Sequence, residues 1–163
     1  MRSTQGQKGF SLIELLIVVA IILIIAAIAI PNLLKSKMAA NEASAAESLR
    51  TIDTGETTYA AMCPNIGYSA SLNELNTGAL CASGQGILDN VLGGADPSTK
   101  AGYTFTYTPA PAGPGGVVAA FTVVAMPMVA HVTGQRAFYS DQTNIVRFTP
   151  DGSAPNSGSS PLQ

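Results

Sequence analysis

Glu14 is the only charged residue between Phe10 and Leu34, and an acid in that setting requires a partner. From Leu15 to Ile30 sixteen consecutive residues lack a polar side chain, and twelve of them are Leu, Ile or Val. At ~0.3 to 0.6 kcal/mol each these favour bilayer insertion by ~4 to 7 kcal/mol, against a cost of ~3 for a carboxylate near the centre. Insertion wins, and Glu14 is carried into an apolar medium where only a neighbouring positive charge offsets its desolvation. Other chemistry-bearing residues are sparse. His131 stands alone in an apolar, Gly-bounded loop and reads as a surface side chain. Asp96, Asp141 and Asp151 suit turns better than a calcium site. There is no Gly-rich phosphate loop after a strand and no G-x-S-x-G, so the sequence predicts no catalysis, metal or cofactor. Eight Lys or Arg and a net charge of -2 leave no footprint for a phosphate backbone, which excludes nucleic-acid binding as the main task.

The elements that must position Glu14 follow from the composition. At 163 residues the chain has room for one ordinary domain. It is 47% hydrophobic but only 11% charged, and the apolar excess is concentrated at the front. Residues 1–9 are short and polar with Arg2 and Lys8, like the positive region of a targeting signal. Two simpler readings leave Glu14 without a purpose. One is a secretory signal cleaved at Ala27-Ile28-Ala29, which would release a soluble exported binding domain. The other is a plain single-span anchor.

Lys8-Gly9-Phe10-Ser11-Leu12-Ile13-Glu14-Leu15-Leu16, followed by the apolar run and Pro31-Asn32, closely resembles the prepilin signature of type IV pilins and the pseudopilins of type II secretion. The resemblance implies cleavage between Gly9 and Phe10 by a prepilin peptidase that also methylates the new amino terminus of Phe10. The mature chain would have 154 residues and a formal charge of -4, having lost Arg2 and Lys8. It further implies that the Phe10 ammonium pairs with Glu14 of a neighbouring subunit, which sets assembly register. The expected partners are further copies of the chain in a helical filament, the prepilin peptidase/N-methyltransferase, an assembly ATPase and an inner-membrane platform. The expected location is a single-pass inner membrane before assembly and a surface pilus afterwards. Between the two branches of the family, Ala26 to Leu33 resembles the pilin form, with a pseudopilin as the alternative.

Beyond Pro31 the pattern becomes one-sided. Leu34, Met38, Ala45, Leu49, Ile52 and Tyr59 share a helical face, while Lys35, Glu42, Glu47, Ser48 and Glu56 fall elsewhere. One helix from Phe10 to about Met62 is expected, with a kink or a melted turn where Pro31 removes a donor and crowds the carbonyl of Ala27. Gly55 is a weaker soft spot. Cys63 and Cys81 are expected to form a disulfide rather than remain two free thiols. Export places them where a bridge persists, and closing the loop would contribute ~3 kcal/mol. Ser71-Leu72-Asn73-Glu74 reads as a capping box for a short helix ending at Gly78, and Ile87 to Leu92 as a further helical turn. Four strands are expected: Tyr103–Thr108, Val117–Ala125, Arg136–Ser140 and Asn144–Thr149, the last two joined through Asp141-Gln142-Thr143.

The predicted fold is therefore α+β, a long N-terminal helix packed on a four-stranded antiparallel sheet, as the resemblance also implies. Its predicted parts are a leader (1–9), a membrane and filament-core helix (10–31), an amphipathic helix (32–62), a disulfide-closed loop (63–101), the sheet (102–152) and a disordered tail (153–163).

Overall fold

The structure, a computed structural model, describes residues 9–78 and 86–162. It divides into two units, Met1–Ser36 and Lys37–Gln163. Helix α1, Leu12–Met62, runs through both. In the first unit it exposes its large apolar side chains, from Leu12 to Leu34. In the second it turns one face into a core.

Ala45, Leu49, Ile52 and Tyr59 supply that face. Short helices α2, Leu72–Thr77, and α3, Asn90–Gly93, follow. The capping expectation for α2 holds: Ser71 Oγ accepts from Glu74 N–H at 3.1 Å. Gly78, left-handed at φ 61°, closes the helix by donating to the Glu74 carbonyl. Gly55 is more than a soft spot, since a Cβ there would lie 3.2 Å from Leu75 Cδ2, so its bareness admits α2 against α1.

The sheet is an antiparallel meander of six strands in chain order: β1 Ser98–Lys100, β2 Tyr103–Pro109, β3 Phe121–Pro127, β4 Ala137–Asp141, β5 Arg147–Thr149 and β6 Ser160–Pro161. Tyr103, Phe105 and Tyr107 alternate inward along β2, opposite Pro127, Ala125 and Val123 of β3. The α+β architecture is as expected; the count of four strands is not. The added strands β1 and β6 are short, polar edge pieces whose pairing is set by neighbours and not by an apolar alternation of their own.

The tail is the larger correction. Leu162 N–H donates to the Val146 carbonyl at 2.8 Å and Arg147 Nη1 to the Ser159 carbonyl at 3.1 Å, while the Leu162 side chain packs on the core. A Ser-, Pro- and Gly-rich segment is held by one strand edge and one apolar anchor, neither of which has a periodicity.

β3 begins at Phe121 instead of Val117. Gly115 and Gly116 adopt positive φ, and Val118 pairs instead with the loop after α1. There Tyr68 N–H donates to the Val118 carbonyl at 3.0 Å and Val118 N–H to the Ile66 carbonyl at 2.8 Å. Gly67 permits this latch, because at φ 79° any Cβ would lie 2.2 Å from the Val118 carbonyl oxygen. β5 starts at Arg147, since Asp141 Oδ1 folds the preceding residues into a turn by accepting from Thr143 N–H and Oγ1.

Candidate functional site

Gly9 and Phe10 are exposed and non-helical, and Phe10 is 84% accessible. Helix α1 starts immediately afterwards because Ser11 is its N-cap. The Ser11 carbonyl accepts from Leu15 N–H at 3.2 Å, and Ser11 N–H donates to Glu14 Oε2 at 3.0 Å. The acid at the third helical position thus reaches back to satisfy a donor the helix leaves free, which is half of a capping box. Reasoning from apolar environment alone treats Glu14 as awaiting a partner chain and misses this local bond; the Ser-x-x-Glu spacing is its signal. The cap starts the helix just beyond the Gly9–Phe10 bond, which is left unwound.

Downstream, an 18-residue apolar window of α1 is long enough to cross a membrane, and none of it is buried. The helix continues through Pro31, so the turn there is formed and not melted. Asn32 Nδ2 donates to the Ile28 carbonyl at 3.1 Å, an extra bond one turn back from the donor that Pro31 lacks.

The second half of α1 carries three buried acids that the sequence pattern misplaced or passed over. Glu42 and Glu56, expected on the solvent side, are 8% and 0% exposed, and Asp53 is 4% exposed. Ser48 is buried too. Each acid is drawn inward by donors on another element. Glu42 accepts from the Gln135 and Arg136 backbone N–H groups at 2.8 and 3.1 Å and from Arg136 Nε at 2.7 Å. Burial works to raise its pKa, but these donors and the guanidinium charge outweigh burial and hold it below the ordinary glutamate value.

Glu56 accepts from Ser69 N–H and Oγ at 2.9 and 2.5 Å, and burial nevertheless raises its pKa. Asp53 has one donor, Ser140 Oγ at 2.5 Å, and its Oδ1 is buried without a partner. Burial, opposed by the Ser140 bond and reinforced by the charges of Asp141 and Glu56, pushes the Asp53 carboxyl up to about 6. Tyr59 completes the set, donating to Glu74 Oε1 at 2.9 Å.

Cys63 is buried at the end of α1, whereas Cys81 lies outside the described residues. His131 is exposed on the β3–β4 loop. Among the described residues no three His, Cys, Asp or Glu side chains gather as a metal site; Asp141 and Asp151 bind their own turns through Thr143 and Ser153.

A family model described as the prokaryotic N-terminal methylation motif matches residues 4–30. The chain is 46% identical over 58 residues to the type IV major pilin protein PilA of Myxococcus xanthus, covering 36% of this chain and 26% of that protein. It is 60% identical over 38 residues to the type IV wide pilus major component PilA4 of Thermus thermophilus, covering 23% of this chain and 29% of that protein. The matches thus span little more than a quarter of either relative. No solved structure matches the chain significantly.

Proposed function

From an N-terminal segment that carries the prokaryotic methylation motif and is homologous to type IV major pilins, we propose that this chain is a structural subunit of a type IV pilus. It is inserted in the inner membrane by α1, cleaved after Gly9, methylated on Phe10 and polymerised through its apolar helix into a surface filament. The observation that carries this reading is the capped start of α1. An exposed, unwound Gly9–Phe10 bond stands directly before a helix whose first stretch, Leu12 to Leu34, is of membrane length and has Glu14 as its only charge.

After cleavage the Phe10 ammonium is a cation at the helix start, where it meets an unfavourable positive dipole end. Glu14 of a neighbouring subunit neutralises it, and in hydrocarbon that pairing is satisfied only in register. Methylation keeps the amine charged and so is compatible with the pair. The proposed working partners are the prepilin peptidase/N-methyltransferase, an assembly ATPase and its inner-membrane platform, with this chain supplying structure and not catalysis. A Cys63–Cys81 bridge closes the loop after α1 once the second unit is outside the cytoplasm.

The test is the intact mass and amino-terminal sequence of the chain recovered from cells, together with a search for sheared surface filaments. An N-methylated Phe10 start with filaments supports a pilin, and the same start without filaments favours the pseudopilin reading. A start after Ala29 would overturn both. Nothing lies within 4 Å of a Cβ added at Gly9, so Gly9→Val leaves the fold intact. Retention of the leader in that variant would place the discrimination in the peptidase.

A further inference from the structure

The second unit carries a cleft whose lining offers chiefly hydrogen-bond acceptors. It lies between α1 and the β4–β5 connection and has a volume of about 840 Å³, within the size range of sites that hold a ligand or a partner's side chain. Ile145 and Leu162 give it an aliphatic wall, and Asp53, Thr54, Thr57 and Thr58 line it from the helix. The three threonine hydroxyls donate one turn back, to the carbonyls of Arg50, Asp53 and Thr54 at 2.8, 2.9 and 2.8 Å. Each therefore has only oxygen lone pairs left to offer. Asn144 Nδ2 donates to Thr57 Oγ1 at 3.3 Å, and its amide oxygen adds an acceptor. Asp53 is the most demanding member, because Ser140 Oγ meets one of its oxygens while Oδ1 is buried with no partner, a state that a carboxylate tolerates poorly. Arg50 is the one cation in the lining, and its charge is met by Glu47 Oε2 at 3.3 Å.

The group that completes such a lining is a cationic donor on an aliphatic stem. A lysine ammonium brings three N–H groups and no acceptor, and its stem covers apolar surface while the head reaches polar atoms. Ion pairs among the described residues engage Arg50, Lys100 and Arg136, whereas Lys35 and Lys37 are exposed and take part in none. Lys37 belongs to the same compact unit as the cleft. It stands sixteen positions before Asp53 on one continuous helix, a separation of ~24 Å, so it cannot enter the cleft of its own chain. We propose that the cleft receives Lys37 of a second copy, with the stem against Ile145 and Leu162 and the ammonium among the oxygens of Thr54, Thr57, Thr58 and Asp53. Asp53 Oδ1 is covered in the single chain, so docking includes a turn of that carboxylate toward the ammonium. The contact joins two different surfaces of the same chain, and it is therefore heterologous and repeats from copy to copy instead of closing at two.

This inference rests on the reading that copies of the chain polymerise, and the test separates the two. Full-length Lys37→Cys and Thr58→Cys chains would be expressed separately and together, and their sheared filaments oxidised and run on a gel without reducing agent. Both positions are exposed, so neither change disturbs the core. Each variant keeps the half of the contact that the other alters. Filament yield would be compared in parallel for the parent, Lys37→Met and Lys37→Arg.

The expected result is a covalent dimer from the mixture, several-fold above that from either variant alone. Lys37→Met should lower filament yield several-fold, and Lys37→Arg, which keeps a cation on a long stem, should recover most of it. Filaments from the mixture without the excess dimer would overturn the contact and leave the filament reading standing. A dimer from Lys37→Cys alone would mean a symmetric contact and overturn the heterologous one. Excess dimer together with a normal yield for Lys37→Met would overturn lysine as the occupant. Absence of filaments from the parent would overturn the polymer reading and the contact with it. The Lys37→Met and Lys37→Arg comparison decides by itself where a cysteine variant fails to assemble.

Discussion

The two halves of α1 use carboxylates in opposite ways. Glu14 stands in an exposed apolar helix and has one local donor, Ser11 N–H. Glu42, Asp53 and Glu56 are buried, and each is met by donors from the sheet or the loop after the helix. The same side-chain type therefore either remains available to a second chain or closes the domain on itself. What decides is whether donors lie within the fold, since a buried carboxylate with donors is tolerated and one without them is a demand for association.

The largest effect that would sharpen this contrast is expected from Glu14→Ala. It removes the ~3 kcal/mol insertion cost of the acid but, in the proposed filament, would leave the Phe10 ammonium of a cleaved chain unpaired, at ~3 to 5 kcal/mol per contact. Membrane fractionation should find the variant inserted, electron microscopy should find few or no filaments, and the melting of the second unit should be unchanged. Filaments in normal number would remove the distinction between the two halves. Leu49→Ala should do the reverse. Leu49 is fully buried, and a truncation of that kind costs ~2 to 5 kcal/mol, measured as a lowered urea midpoint of the full chain in detergent with insertion unaffected.

Glu42→Gln comes next. It leaves the Arg136 guanidinium, 36% exposed, without its counter-charge and weakens two backbone acceptor bonds, for ~2 kcal/mol at neutral pH. Glu42 has a depressed pKa, so its contribution is present above the unfolded value of 4.5 and lost as pH falls. The deficit of Glu42→Gln should therefore shrink in acid; a deficit that is constant with pH would show that packing and not charge holds the β4 end to α1.

Sequence reasoning located the apolar span, the start and end of α1, the capped α2 and the central strands, because each has a local signal: length, periodicity or a cap. It misread Glu42 and Glu56 because a helical wheel assigns charge to solvent, whereas the donors that draw these acids inward come from residues 69, 135 and 136. β6 and the docking of Leu162 failed for the same reason. Two paired residues and one anchor have no period, and the partner edge at Val146 and Arg147 is visible only after folding. At the candidate site the methylation motif was legible as a pattern, but the Ser11–Glu14 bond was overlooked because an unusual environment drew attention away from an ordinary capping pattern.

The smallest expected effect tests the buried half through its least satisfied member. Asp53 titrates at about 6 when folded against 3.8 ordinarily, so from pH 3.8 upward the unfolded chain loses a proton that the native chain still holds. Stability falls through this window and levels off above the folded value, a penalty bounded at ~3 kcal/mol by 1.36 kcal/mol per unit. Asp53→Asn keeps an acceptor for Ser140 Oγ and cannot ionise, but its amide brings donors to the site where Oδ1 has no partner, which gives back part of the gain. The variant should be ~1 kcal/mol more stable than the parent at pH 7 and no more stable at pH 4. Urea midpoints across that range would measure the difference, and Glu56, also raised, would leave a residual slope of the same sign in both proteins. Parallel profiles would mean that Asp53 is ionised in the fold at little cost, and the acids of the second half would then have to be reread as solvated by water within the α1 interface.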